Sequence, residues 1–427
     1  MKKLLLAAAI SAVLSTPAFA TNGYAPVGIG QSAKGMGGAS IAYPQDTLVG
    51  GMNPAGMVHL GNRWDLGAEI FMPDRGFTVT TSQSPFAGSY DGTGSGFGEA
   101  WFIIPEFGYN KMINDDLSVG ISVFGNGGMN TSYGTDHPFS AFAAQAGIPG
   151  AQVGIDLMQV YISPSVSYKV NDRFSVGATL NLIAQSFEAT GLWAFTPFSS
   201  DASAFTNNGH DNSYGASIRL GLLYELSDRV TVGATYQSQG WMPEFDDYAG
   251  LFADGGDFDI PQNYGIGIAI KATDKLDLAL DIMRIDYGSV NAIGNSPNTQ
   301  KPFGADDGPG FGWEDQTIVK VGASYDYSDQ LTLRAGYAYG ENPVTTEGLG
   351  FALNTLAPGI SESHLTLGFT WNMDENTSIT GSYVHAFNTE IDGDFLVPDG
   401  QGGLANLGSG YLEMSQNAFG ISYNKRF

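Results

Sequence analysis

The chain has no cysteine, few basic residues and no apolar run long enough to cross a membrane as a helix. Each absence excludes a class of protein. Without cysteine there is no disulfide framework, no thiolate nucleophile and no cysteine-ligated zinc or iron–sulfur centre. With 43 acidic against 18 basic residues and a formal net charge of −25, there is no basic face for nucleic acid. A helical span needs about 20 apolar residues in succession; the apolar run Leu4–Leu14 falls short of that. Charged residues make up only 14% of the chain, against a typical value of about 25%.

Catalytic and metal signatures are missing as well. His59, His137, His210, His364 and His385 are scattered, with neither an HExxH motif nor paired spacing. No GxSxG occurs. Gly28-Ile29-Gly30 has no strand before it and no GK[ST] after it. The acidic stretches DDYAGLFADGGDFD, GADDGPGFGWED and IDGDFLVPDG lack the EF-hand register. They are expected to solvate outer loops, with cations bridging to lipopolysaccharide. The expectation is no enzyme, no metal and no cofactor.

What is present points to β-structure. There are 59 glycines in 427 residues, roughly twice the usual 7%. Aromatics reach 12% and hydrophobic residues 43%, which argues for an ordered chain. Lys2 and Lys3, the run Leu4–Leu14 and Ala18-Phe19-Ala20 form the n-region, h-region and cleavage site of a secretory signal. Residues 1–20 are therefore set aside, and the exported chain starts at Thr21. Thr21 is not cysteine, so this is not a lipoprotein signal, and a cysteine-free chain suits an oxidising periplasm.

A pattern then recurs six times: an apolar strand end, a short polar turn and an alternating strand. The instances begin at Tyr109, Val166, Leu222, Ile268, Ala323 and Phe369, with turns at Asp115, Asp172, Asp228, Asp274, Asp329 and Glu375. Asp, Asn, Ser and Thr favour such turns because their side chains bond their own backbone. The intervening segments are long enough for two strands and an outer loop. Short turns on one side and long loops on the other are the organisation of an outer-membrane barrel.

Alternation carries the same message. Val230, Val232, Ala234 and Tyr236 share one face; Thr231, Gly233, Thr235 and Gln237 share the other. A soluble sandwich has this period too. Tyr109, Tyr168, Tyr224, Tyr325, Tyr327 and Trp371 decide between them, because they cluster beside the short turns as an interfacial girdle. Six turns with both ends on the turn side give a 14-stranded antiparallel transmembrane β-barrel, an all-β fold, over residues 63–427. The last strand alternates Phe419, Ile421, Tyr423 and ends on Phe427. This resembles the signal read by the barrel-assembly machinery, although Lys425 departs from it.

Residues 21–62 are Gly-rich and not strand-like, yet Ile29, Met36, Ile41, Met52, Met57 and Leu60 are too apolar for a free tail. A barrel of this size has a lumen wide enough for water, and this segment is expected to plug it as an N-terminal hatch. The stretch GIGQSAKGMGGASIAYPQDTLVGGMNPAGM resembles the N-terminal hatch of the FadL/TodX family of outer-membrane transporters for long-chain fatty acids and hydrocarbons. The match rests on Gly35, Met36, Gly37, Gly38 and Ala39, on Asp46, and on Asn53, Pro54, Ala55 and Gly56. The resemblance implies a hatch-plugged fourteen-stranded barrel that captures apolar ligands at extracellular loops. It also implies passage inward by diffusion and a sideways opening at a kink in the third strand.

Candidate residues follow. The loop after strand five and the next outer loop carry Trp193, Phe195, Phe198, Phe205, Trp241, Met242, Phe245, Tyr248, Leu251 and Phe252. So many apolar side chains mark a binding surface rather than solvated loops. Alternation in strand three breaks at Gly125, Asn126, Gly127 and Gly128, where glycine permits a bulge or kink. Parity points Glu69, Glu106, Arg219, Glu225, Asp277, Asp281, Lys320, Asp326 and Arg334 into the lumen, most of them to be paired there. Arg219 and Lys320 lie far enough from the turns to meet a ligand carboxylate.

The resulting expectation is a monomeric outer-membrane channel for a hydrophobic small molecule, with outer-membrane lipid and lipopolysaccharide as surroundings. The rivals are a general diffusion porin for small polar solutes and a structural or adhesive barrel.

Overall fold

The computed structural model describes residues 21–82, 84–145, 147–400 and 403–427. The signal-peptide reading of residues 1–20 lies outside them. Among the described residues, fourteen long strands run in sequence order: β1 (Arg63–Val79), β2 (Phe102–Met112), β3 (Leu117–Ser132), β4 (Gly154–Asn171), β5 (Phe174–Thr190), β6 (Asp211–Ser227) and β7 (Val230–Gln237). They continue as β8 (Asn263–Lys271), β9 (Leu276–Ile285), β10 (Gln316–Ser328), β11 (Leu331–Gly340), β12 (Ser363–Asn372), β13 (Thr377–Pro398) and β14 (Leu404–Arg426). Each pairs antiparallel with its sequence neighbours. β14 returns to β1 in continuous register from Arg426↔Arg63 to Gly410↔Val79, so the sheet closes. Closure leaves no edge strand to satisfy in lipid. A four-residue strand, Gly88–Asp91, adds to the outer end of β1.

All six short turns fall at the positions of the sequence repeat, and β1 begins at Arg63 as the alternation requires. The two ends of the barrel meet on the turn side. Phe427 N–H donates to Asn62 O at 3.1 Å, and its ring stacks with Tyr109.

The period of two divides the wall into faces. Leu180, Leu182, Ile218, Leu220, Leu222 and Tyr236 are exposed on the outside. Thr179, Asn181, Ser217, Arg219, Thr235 and Gln237, each one place out of phase, are buried inside. In water an outer surface this apolar would be costly at about 25 cal/mol/Å²; against lipid it is matched. Tyr168, Tyr224, Tyr325, Tyr327 and Trp371 ring the turn side as the girdle reading requires.

The N-terminal segment is buried almost throughout from Asn22 to Val58 and is held by polar groups of the inner wall. The side-chain amide of Asn53 donates to Ile41 O (2.7 Å) and Leu222 O (3.1 Å), while its oxygen caps Ala55 N–H. Ser167 and Ser175 both donate to Ala55 O. Asp46 caps the next turn at Leu48 N–H, and Asp65 accepts from Thr47 N–H at 2.8 Å. Asp281 accepts from the backbone of Ser40 and Ile41 at 2.7 and 2.9 Å. Lys34 pairs with Glu69 at 2.8 Å. Gly37 has φ of +68°, and a Cβ there would sit 2.9 Å from Tyr337 N, so the close approach of segment to wall needs glycine. The GMGG and NPAG runs are thus contact surfaces, where small residues and caps let backbone meet backbone.

The wall has one irregular place. Pairing between β1 and β2 stops at Phe71↔Phe102, and between β2 and β3 at Phe107↔Val123. β3 continues to Ser132 on its β4 side, with a register shift between Gly125 and Gly127. The strand therefore does not end at the Gly-rich break; it bulges there and parts from β2.

Candidate functional site

Inward positions on the loop side of the wall change character. On β5 the inward sequence is Gly177, Thr179 and Asn181, then Ile183, Gln185 and Phe187. Thr179 donates to Gly50 O of the N-terminal segment at 2.9 Å, whereas Gln185 donates to Phe258 O at 2.9 Å and Phe187 packs on Tyr248 and Phe252 of the outer loops. The loop between β5 and β6 adds Leu192, Phe195 and Phe205. The loop between β7 and β8 adds Phe245, Tyr248, Phe252 and Phe258. Further loops bring Phe303, Trp313, Leu353 and Leu356 into the same cluster. Phe187 lies at the centre, 4.9 Å from Tyr248 and 4.7 Å from Phe252 between ring centroids.

Within this cluster is a cavity lined almost wholly by carbon, among them Ile155, Phe187, Phe195, Phe205, Phe252, Phe303 and Leu353. A concave apolar lining is what a hydrophobic ligand requires. Four of the loop residues singled out by sequence line it: Phe195, Phe205, Leu251 and Phe252. Phe245 is fully buried against Phe187 and Phe252, Met242 is buried in the same cluster, and Phe198 packs on its edge. Trp193 is half-buried and lies outside the lining. Trp241 is elsewhere. It bridges Ala216, whose strand neighbours Tyr214 and Ile218 face outward, and it is 59% exposed. It belongs to the outer face of the wall, with Tyr214 and Tyr236, and not to the cavity.

Sequence reading missed Phe187, Phe303, Phe311, Leu353 and Leu356. A signal existed for Phe187, an aromatic at an inward parity position four residues beyond Ile183. Phe303 and Phe311 sit in aperiodic loops that carried none.

The cluster reaches down to the N-terminal segment. Tyr24, Tyr287 and Trp313 form three ring contacts at 5.3–6.1 Å. The Tyr287 hydroxyl donates to Asn22 O at 2.6 Å and accepts from Ala25 N–H at 3.3 Å. Trp313 is oriented by its Nε1–H bond to Asn354 Oδ1 at 2.8 Å. Tyr24 covers the bulge in β3: its carbonyl accepts from Gly128 N–H at 3.3 Å, and a Cβ on Gly127 would come within 2.6 Å of that carbonyl.

The two candidate cations are placed differently from a free head-group site. Lys320 Nζ donates to Val27 O at 2.7 Å. Arg219 donates to Met52 O at 3.2 Å, Gln237 Oε1 at 2.6 Å and Asn263 Oδ1 at 3.1 Å. Both side chains are spent on the N-terminal segment and on neighbouring strands.

Electrostatics separate the two halves of the lumen. On the turn side, polar cavities flank Tyr43 and Pro44, with Arg63, Arg334 and Asp326 in one and Arg173, Glu225 and Asp277 in the other. On the loop side, burial and the neighbouring Asp259 and Asp254 push the Asp257 carboxyl up to about 6. Burial among Phe77, Tyr133, Phe139 and Phe395 pushes the His137 imidazole down to about 3, so it is neutral.

The family described as outer membrane protein transport protein (OMPP1/FadL/TodX) matches residues 7–427. The long-chain fatty acid transport protein of Escherichia coli O6:H1 is 24% identical, with 88% of this chain aligned to 89% of that one. Among solved structures, a Pseudomonas aeruginosa FadL homologue superposes with a TM-score of 0.72 at 19% identity, covering 95% of this chain and 100% of its own. The Pseudomonas putida toluene transporter TodX superposes with a TM-score of 0.68 at 20% identity, covering 94% and 99%. These superpositions share the closed barrel. With the match running through essentially the whole chain, the protein belongs to the OMPP1/FadL/TodX family of outer-membrane transport proteins.

Proposed function

We propose that this outer-membrane barrel carries hydrophobic molecules, long-chain fatty acids or hydrocarbons, across the outer membrane without an energy source. One observation carries the reading: a single apolar cluster runs from the outer loops through the Phe187 cavity to Tyr24, which covers the bulge in β3. Loop aromatics desolvate the ligand, at a gain of about 25 cal/mol per Å² of apolar area removed from water. Residues 21–62 act as the hatch. Movement of its N-terminal end would connect the cavity with the opening between β2 and β3.

The route is lateral for a physical reason. An apolar ligand heading for the turn side would pass polar cavities holding Arg63, Arg334 and Asp277. A ligand leaving between β2 and β3 meets lipid at once. A general diffusion porin fits less well, because the lumen is occupied from Asn22 to Val58. No catalytic step is proposed. Lipopolysaccharide contact at the acidic loops, delivery by the barrel-assembly machinery and a monomeric state complete the proposal.

The test is ligand binding by the purified barrel together with uptake by a deletion strain. Retention of radiolabelled oleate or an alkane, and slower uptake in the deletion strain, are expected. No binding of either probe and unchanged uptake would overturn the proposal.

A further inference from the structure

Arg75 occupies the irregular place in the wall. It is on β1 at an inward position, beyond Phe71, where β1 has already lost its β2 partner. Its guanidinium reaches across to β3. Nε donates to Asn130 O and Nη2 to Asn130 Oδ1, Nη2 also donates to Glu99 O at 3.0 Å, and Nη1 donates to Pro73 O at 3.1 Å. The side chain thus ties β1 to β3 beside Gly92, whose N–H donates to Arg75 O at 2.9 Å and whose carbonyl accepts from Ser132 N–H at 2.7 Å.

All four acceptors are neutral oxygens. Arg75 is 2% exposed, and among the described residues no carboxylate stands within ion-pair distance of it. The nearest acids act only through space and are engaged elsewhere: Asp156 with His210 at 3.0 Å, Asp91 with Thr93 N–H at 2.8 Å, Asp74 with Thr93 Oγ1 at 3.3 Å. A buried cation without a counter-ion is costly, and an arriving anion would remove that cost. Four bonds also leave one of the five guanidinium N–H groups unused.

The rest of the site is apolar. Arg75 borders a small cavity whose other walls include Phe71, Pro73, Met129, Pro358 and Met414, with Gly23 of the N-terminal segment at its floor. A cation at the rim of a carbon-lined cavity matches an amphipathic carboxylate.

We propose that Arg75 binds the carboxylate of a fatty acid in the gap beside β3, while its chain lies along Phe71, Met129 and Met414, so that the protein favours fatty acids over neutral hydrocarbons. This rests on the transport reading above and names its substrate class. Arg75 is both latch and head-group site: a ligand carboxylate competes with Asn130 and Glu99 for the same fork and loosens the seam through which the chain leaves. Arg supplies the planar fork that a carboxylate needs, and Lys does not.

The experiment is equilibrium binding of radiolabelled oleate and of methyl oleate, its neutral counterpart, to the detergent-purified full chain at pH 9. Oleate is expected to bind the unaltered protein at least tenfold more tightly. Arg75→Gln should bring oleate to the level of methyl oleate and leave methyl oleate within about twofold. Arg75→Lys should retain part of the preference. Heat-modifiable gel migration checks that each variant is folded, and Arg75→Lys decides if Arg75→Gln does not fold. Equal binding of the two probes by the unaltered protein, or a preference unchanged in the folded variants, would overturn the proposal while leaving transport intact. Failure of both probes to bind would overturn the transport reading, and this one with it.

Discussion

The hydroxyl of Tyr287 donates to the carbonyl oxygen of Asn22 at 2.6 Å, so a side chain from the outer loops holds the first residues of the N-terminal segment. The Tyr287 hydroxyl oxygen in turn accepts from Ala25 N–H at 3.3 Å, so one phenol is bonded on both sides of a tight turn. The loop assembly and the N-terminal segment are therefore linked through one phenol.

Tyr287→Phe keeps the ring contacts with Tyr24 and Trp313 and deletes only the hydroxyl. The loss of a buried hydrogen bond costs about 0.5–1.5 kcal/mol. Amide exchange across residues 22–30 should rise several-fold, with exchange in the strands unchanged. An unaltered exchange pattern would show that the bond does not hold the segment.

Lys320→Met should act on the N-terminal segment as well. Its Nζ–H bond to Val27 O is buried, and leaving that carbonyl unpaired costs about 1–3 kcal/mol. The N-terminal segment is expected to become protease-sensitive while the barrel keeps its heat-modifiable migration. If oleate binding fell first and the segment stayed protected, Lys320 would be a ligand residue and not an anchor of the N-terminal segment.

Phe205 and Trp241 separate cavity from wall. Phe205 lines the apolar cavity and is 1% exposed, whereas Trp241 faces outward. Phe205→Trp fills space the ligand needs and should weaken oleate and alkane binding about tenfold, which is about 1.4 kcal/mol. Trp241→Ala should leave both affinities unchanged. Equilibrium binding in detergent distinguishes the two outcomes.

The contrast between Trp241 and Phe187 shows what the sequence made legible. Strand number, turn positions, wall parity and the girdle all follow from a period of two and six polar turns, and the structure reproduces them. The N-terminal segment was legible because GMGG and NPAG are short, position-specific contact motifs. The loops have no period, so composition gave their apolar character but not their geometry. Trp241 therefore stood with the capture residues although its backbone bridge to Ala216 turns it outward. Arg75 shares the inward parity of Glu69, yet nothing in sequence shows that β2 leaves β1 just before it. Strand partnership is a long-range property, and it is what makes Arg75 unusual.

Asp257 gives the loop assembly a dependence on pH. It lies in the loop between β7 and β8, one residue before Phe258 and two before Asp259, which itself accepts from Met242 N–H and Gln239. Burial, with Asp259 and Asp254 close by, raises its carboxyl from 3.8 to about 6. The unfolded or detached loop would have the ordinary value near 3.9. A group whose pKa is higher in the packed state contributes stability that is complete below the unpacked value and is lost as pH rises through the packed one. The packing of this loop on Phe187 should therefore be tightest below about pH 4 and should loosen through pH 6. Amide exchange over residues 240–260, corrected for intrinsic pH effects, is expected to show that trend, and Asp257→Asn should flatten it. Because Phe252 and Phe258 belong to the same loop, the affinity of an uncharged alkane should fall over the same pH interval. A neutral probe has no titration of its own, so a pH-independent alkane affinity would show that this carboxyl does not govern the cavity.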